Sequence, residues 1–418
     1  MKILYLNLDR GIPVLGDKGA SVHVRSFITA ADALGHEILL ACATVGEGNP
    51  RPPGHLLHIG GKPSPARLTA ECAAAKLPLA ALDDQVTSRE LARLAYDHAA
   101  PEKIYEALAA LNFAPDLVYE RHALFHCSGV AIAAHYKVPR LLEVNAPLIH
   151  EQRTFRGLRL EAQAHRAERA SYHGADAIIA VSGGVGAHVS AVLGHSRNVH
   201  IVPNGVDLTR FTADAPAGNA IRQRLNLGAD PVIGFIGSFK PWHGVSFLLD
   251  VFADLLPQFP TLHLLAVGEG PEREAVQARA AALGLGARVI LPGRAAHDEI
   301  PAWLSAMTLT AAPYLPQPDF YFSPMKIVES LAASRPAVAP DIGEISSVIR
   351  HGQNGMLYPP GDAAQCRAAI ASLLADPAAC TAMGATAARD AARLGWEAVV
   401  GRILGLAPAG TPASLSVA

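Results

Sequence analysis

The sequence predicts an α/β protein built from two doubly wound halves, and three observations predict it. Short apolar runs alternate with amphipathic segments along nearly the whole chain, the order that builds a parallel sheet covered by helices. The alternation starts afresh near Val232, after the turn sequence Pro203-Asn204-Gly205-Val206-Asp207. With 418 residues, half of them hydrophobic, the chain exceeds one ordinary core. It suits two domains of roughly 200 residues each.

In the first half, residues 2–7 read as a buried strand. A loop bearing Gly11, Gly16, Lys18 and Gly19 follows, then a helical face of Val24, Phe27, Ile28, Ala31 and Leu34 that stops at Gly35. A second strand comes at 38–41. The loop is no G-x-G-x-x-G, which disfavours an NAD-dependent oxidoreductase. Residues 49–65, rich in Pro and Gly, read as a surface loop, and a helical stretch over 88–111 is expected to break or kink at Pro101. Further strands are predicted at 116–119, 140–144, 177–181 and 199–202. The second half repeats the theme with strands at 232–236, 262–267, 288–291, 308–311 and 337–339, closing with helices over 363–406.

Composition excludes several function classes. A net charge of −2 without a basic run argues against nucleic acid as a partner. The five cysteines are scattered and form no C-x-x-C pair, which fits a reducing compartment and neither a disulfide framework nor a zinc site. The N-terminal apolar run is too short for a signal peptide, and no apolar segment reaches the ~18 residues of a membrane span. The expectation is a soluble, cytoplasmic protein. Asp83-Asp84 is an acidic pair, but no Asp-x-Asp follows a strand, so no metal site is indicated.

Two tracts carry candidate chemistry in the second half. Gly237-Ser238-Phe239-Lys240-Pro241-Trp242-His243-Gly244 lies between a strand and a helix, where α/β sheets bind phosphate. Its glycines allow close backbone approach, Lys240 supplies a fixed charge, and His243 reads as a protonatable second donor. A basic loop on a solvated surface is the alternative reading. Farther on, an aromatic run leads into Ser323-Pro324-Met325-Lys326-Ile327-Val328-Glu329. Ser323 reads as the N-cap and Pro324 as the first turn of a short helix ending near Ala333. Its free amides would face an anion, with Lys326 at the mouth. From these residues alone a capped core helix is the plainer reading. Gly268-Glu269-Gly270-Pro271 is another strand-to-helix turn. In the first half, Arg121, His122, Glu143 and Asn145 fall at strand ends, the edge where such sheets bind ligands.

The Pro-x-Lys-x-x-Glu tract after an aromatic run, followed by Ser334-Arg335-Pro336-Ala337-Val338-Ala339, resembles the donor-nucleotide segment of family 4 glycosyltransferases. It is similar to the subset carrying Ser-Pro-x-Lys-x-x-Glu. The resemblance is strong over 232–362 and looser over 1–207. It implies the GT-B fold, two Rossmann-like domains facing a cleft. Residues 1–205 would form the acceptor side, completed by a helix at about 394–406, the return crossing that Trp396 resembles. Residues 206–393 would bind the nucleotide sugar, and 407–418 would be a disordered tail.

The activity so implied is retaining, metal-independent transfer of a hexosyl-type sugar from a nucleoside diphosphate sugar to an acceptor hydroxyl, with no cofactor besides the donor. Glu329 would hold the ribose diol, with Lys240 and Asn145 completing the catalytic set. Gly237, Ser238, His243, Glu269, Tyr321, Ser323, Pro324, Met325 and Lys326 would line the donor. Gly16, Lys18, Gly19, Arg121, His122 and Glu143 would face the acceptor. The chain departs from the family at four places: Ser238 stands where an Arg is usual, His243 where a Lys is usual, Tyr321 where an acid is usual, with Asp319 two residues off register, and Asn145 where many relatives carry a His that contacts the donor sugar. A carbohydrate, a lipid-linked group or a small molecule would serve as acceptor, and peripheral contact with a membrane surface stays open. The alternatives are a nucleotide-sugar epimerase of the same architecture and a non-catalytic nucleotide-sugar binder.

Overall fold

A computed structural model describes residues 1–16, 18–317 and 320–408; Asp17, Pro318, Asp319 and the end of the expected tail lie outside the described residues. The chain divides into two compact units, Met1–Pro203 joined by the segment from Glu397, and Asn204–Trp396.

The first unit is a parallel sheet of β1 (Lys2–Asn7), β2 (Glu37–Cys42), β3 (His55–His58), β4 (Leu117–Arg121), β5 (Arg140–Val144), β6 (Ala177–Ala180) and β7 (Val199–Ile201). Its order is β3-β2-β1-β4-β5-β6-β7. β1, β4 and β5 are almost fully buried, so the charged residues that β4 and β5 carry at their ends are buried with them. Strand order reverses between β1 and β4, and the crevice at such a reversal is where open α/β sheets take ligands.

Three expectations are corrected here. The stretch 49–65 holds a strand, β3, which pairs with β2 alone and stays half exposed; its histidine ends hide the apolar pair Leu56-Leu57. The helix Gln85–Ala110 does not break at Pro101, because buried Leu91, Leu94, Ile104 and Leu108 pin it on both sides of the proline. Leu34 caps its helix, 41% exposed, instead of joining the buried face of Val24, Phe27, Ile28 and Ala31.

The second unit holds β8 (Val232–Ile236), β9 (His263–Val267), β10 (Val289–Gly293), β11 (Leu309–Ala311), β12 (Ala337–Pro340) and β13 (Gly355–Tyr358), the last an edge strand not expected from the sequence. The order β10-β9-β8-β11-β12-β13 reverses between β8 and β11. Apolar clusters around Leu265, Trp303 and Leu331 and around Phe235, Leu249 and Phe252 fill the core. The unit's two chain ends are tied together. Val206 N–H donates to the Leu394 carbonyl (2.8 Å), and Trp396 N–H donates to the Val206 carbonyl (3.2 Å). A Cβ on Gly205 would stand 2.6 Å from the Trp396 indole, so glycine is required there. Among the described residues no single helix is long and apolar enough to cross a membrane.

Candidate functional site

In the second unit the two tracts singled out in the sequence converge at the β8/β11 reversal. β8 delivers Gly237, whose φ of 142° suits glycine, and the loop then turns through Ser238, Phe239 and Lys240. This loop is locked to the next one. Gly237 N–H donates to the Val267 carbonyl (3.0 Å), Phe239 N–H to the Glu269 carbonyl (2.8 Å), and Glu272 N–H to the Phe239 carbonyl (3.0 Å). The two backbones touch so closely that a Cβ on Gly268 would lie 1.8 Å from the Gly237 carbonyl oxygen.

Lys326, from the helix Met325–Ala332, is the centre of the site. Its Nζ lies 4.8 Å from the Phe235 ring centroid and 4.8 Å from that of Tyr314, so two aromatic faces hold the ammonium. The nitrogen is shielded from solvent and has no hydrogen-bond partner. Ser323 Oγ is likewise buried and unpartnered. A Cβ on Gly237 would come within 2.8 Å of Nζ, so the absence of a side chain there keeps the ammonium's surroundings open. Burial pushes the Lys326 pKa down to about 7, with Glu329 opposing the fall and Lys240 adding to it. Burial likewise pushes Glu329 up to about 7, against the pull of Lys326 and Arg210.

The structure corrects two roles here. Ser323 does not cap the helix: Pro324 occupies the cap position without a side-chain bond, and the Met325 amide donates to the Ser323 carbonyl (2.9 Å). Proline in the cap position displaces the serine by one residue and leaves its hydroxyl facing inward. His243 is no second cation. Burial first, then Lys326 and Lys240, push its pKa down to about 3, and its Nδ1–H donates to the Ser238 carbonyl. Lys240 is exposed, its Nζ 4.9 Å from the Trp242 ring centroid. Glu269 is exposed and pairs with Arg273 (2.9 Å). Tyr321 is buried, its ring centroid 4.5 Å from that of Phe322.

The first unit assembles a different cluster at its own sheet edge. Arg121 and Glu143 are register partners on β4 and β5, and Arg121 Nη1 donates to Glu143 Oε1 (2.6 Å). The Tyr119 hydroxyl donates to Oε2, His23 Nε2 lies 2.8 Å from the same oxygen, and Asn145 Nδ2 donates to Oε1. Burial alone would raise the pKa of this carboxyl, but His23, Arg121 and Asn145 more than offset it and hold Glu143 well below the usual carboxylate range. An ionised carboxylate only accepts, so the Asn145 amide must turn its NH₂ inward and its carbonyl oxygen away. Gly16 anchors the first loop by accepting from Arg25 (2.9 Å), Lys18 is exposed, and the space a Cβ on Gly19 would fill is open.

His122 does not join this cluster. Strand alternation turns it toward Tyr172, 5.1 Å between ring centroids, and burial pushes its pKa down to about 4, so it is a neutral core residue. Sequence reasoning missed His23, Tyr119, Phe235 and Tyr314. A polar residue one turn into an otherwise apolar helical face was a signal for His23, and strand alternation with Arg121 was one for Tyr119. Nothing local marked the two rings. Among the described residues no three His, Cys, Asp or Glu side chains converge as a metal set.

Two Rossmann-like sheets, each placing its polar groups where strand order reverses, define the GT-B class. Solved structures share the fold. Anabaena HepE in complex with UDP matches with a TM-score of 0.66 and 18% identity, over 97% of this chain and 99% of that one. Sucrose-phosphate synthase from Thermosynechococcus elongatus matches with a TM-score of 0.67 and 20% identity, over 97% and 98%. Residues 18–210 match the model described as Glycosyltransferase Family 4, and residues 230–376 the model described as Glycosyl transferases group 1. The chain is thus similar to the GT-B glycosyltransferases in fold, with a match to the family 4 model leading and a match to the group 1 model following.

Among curated relatives, D-inositol 3-phosphate glycosyltransferase of Thermobispora bispora is 33% identical over 215 residues, 49% of each chain. A GDP-mannose-dependent alpha-(1-6)-phosphatidylinositol monomannoside mannosyltransferase of Mycolicibacterium smegmatis is 28% identical over 226 residues, 53% of this chain and 59% of that one. These matches span only about half the length of the relatives concerned.

Proposed function

We propose that this chain transfers a hexosyl-type sugar from a nucleoside diphosphate sugar to an acceptor hydroxyl, with retention of configuration and without a metal ion. The observation that carries the reading is Lys326, a shielded ammonium without a hydrogen-bond partner, held between two rings beside Gly237. A buried unpartnered cation is costly unless an anion completes it, and a departing diphosphate is such an anion. Lys240 adds charge at the outer side, and Glu329 accepts from the ribose hydroxyls. The departing phosphate oxygen takes the acceptor's proton, so no basic side chain is required at that step. In the first unit, Glu143 holds Arg121 in a fixed orientation on the acceptor side and fixes Asn145 as a group that positions the donor sugar. UDP in the Anabaena HepE structure and the GDP-mannose dependence in the mycobacterial relative's name support a nucleotide-sugar donor while leaving the base open.

The first experiment is a thermal-shift panel of UDP-, GDP-, ADP- and TDP-sugars, because a ligand that binds only the native state raises the melting temperature. With the stabilising donor, Lys240→Ala and Glu329→Ala are each expected to lower transfer at least ~10-fold while the fold persists. Unchanged turnover in both folded variants would count against this site. Donor affinity is expected to trace a bell against pH. It falls on the acid side as Glu329 gains its proton near pH 7, and on the alkaline side as Lys326 loses its own near pH 7. Calorimetric titration between pH 5.5 and 9 (a span set roughly by those values) checks it.

A further inference from the structure

We propose that a cavity in the helical layer of the first unit binds a small carboxylate with an apolar body, at a place separate from both polar clusters described above. The cavity measures about 280 Å³ and lies between the helices Pro65–Ala74, Gln85–Ala110 and Glu161–His173. It stands on the opposite side of the sheet from the Glu143 cluster. Glu143 turns toward His23, whereas Glu120 and Arg140 turn the other way and meet each other, with Arg140 reaching Ser171 on the helix Glu161–His173.

The polar groups of the lining divide into committed and uncommitted ones. Asp97 is buried and accepts from the Cys127 and Ser128 amides (3.0 and 3.2 Å), which ties it to the start of the helix Ser128–Tyr136. Glu71 meets His98 Nδ1 at 2.6 Å. Burial, with Asp97 adding to it, pushes the Cys127 thiol up to about 12, so it brings no charge. Arg166 and Gln163 differ. They stand one turn apart on the same helix, and both line the cavity. Neither side chain has a hydrogen-bond or ion-pair partner among the described residues. The charge left over for a ligand is therefore positive.

Walls and volume narrow the class. Ala74, Leu94, Phe125 and Ala170 supply apolar surface, which rewards a ligand with a hydrocarbon body. An apolar cavity of about 150 Å³ takes a benzene ring, so this one has room for a ring or a short chain together with a carboxylate. The guanidinium fork of Arg166 matches two carboxylate oxygens, and the Gln163 amide adds two further donors. A dianion such as a phosphate ester suits the fork as well, but the Asp97 and Glu71 carboxylates on the same lining disfavour the second charge.

The test titrates the full chain with benzoate and hexanoate, and with benzyl alcohol and hexylamine as neutral and cationic probes of like size, by thermal shift and calorimetry. The carboxylates are expected to raise the melting temperature, with the alcohol and the amine binding at least ~10-fold more weakly. Arg166→Gln is expected to erase that preference. Ala170→Phe, or Ala74→Phe from another wall, fills the cavity and is expected to weaken every probe at least ~10-fold. All three positions are exposed, so the unliganded variants should melt with the parent. No binding by either carboxylate, an alcohol or amine that binds as tightly, or folded variants that bind like the parent would each overturn the proposal.

Discussion

Replacing Lys326 with methionine is expected to lower sugar transfer by about 10²–10³-fold while the melting temperature stays level or rises. The two halves of this result have one cause. The Lys326 ammonium is shielded and makes no hydrogen bond in the free protein, so its charge is carried at a cost until a ligand arrives. Methionine keeps the unbranched stem between Phe235 and Tyr314 and removes that cost. It also removes the preorganised charge that, in the proposed reaction, meets the leaving diphosphate. Steady-state kinetics and a melting curve on one preparation decide the matter. A variant that loses both activity and stability would mean that Lys326 is a structural residue. The opposite signs are the usual mark of a site strained for function.

Removing the Glu143 carboxylate is expected to cost stability on the order of 3–5 kcal/mol, because Glu143→Ala strands the buried Arg121 guanidinium along with Tyr119 and His23. In the first unit this corresponds to a melting shift of roughly 10 °C. Glu143→Gln keeps the shape and part of the hydrogen bonding, so it is expected to cost less. The pH dependence has a definite sign. Since the folded carboxyl titrates below its ordinary value, its contribution is full above the unfolded carboxylate pKa of about 4.3 and is lost as pH falls through the lower folded value. Parent and Glu143→Ala should therefore converge in stability only in strong acid, as read by urea denaturation at a series of pH values. A constant gap across that range would remove the carboxylate from the account.

Much of this architecture was legible from local pattern. β8 is an apolar run followed by Gly237, and the helix Val245–Leu255 after it carries a buried stripe, so the loop between them could be placed from the sequence alone. β3 was not legible, because an edge strand of four residues between a proline-rich stretch and the tract Gly60-Gly61-Lys62-Pro63 has too few apolar positions to show a period. Ser323 was misread because serine before proline fits two neighbouring cap registers, and only the backbone angles choose between them. The aromatic hold on Lys326 could not be read at all. Phe235 on β8, Tyr314 in the loop after β11 and Lys326 on the helix Met325–Ala332 lie far apart in the chain, and one sequence gives no sign that they meet.

The interlocked loops after β8 and β9 have a mechanical consequence. Phe239 both gives a hydrogen bond to Glu269 and receives one from Glu272, and Gly268 leaves no gap between the two backbones. The pair therefore behaves as a single stiff lever: whatever pulls on Lys240 at one tip is felt at Glu269 and Arg273 at the other, without an intervening hinge to absorb it.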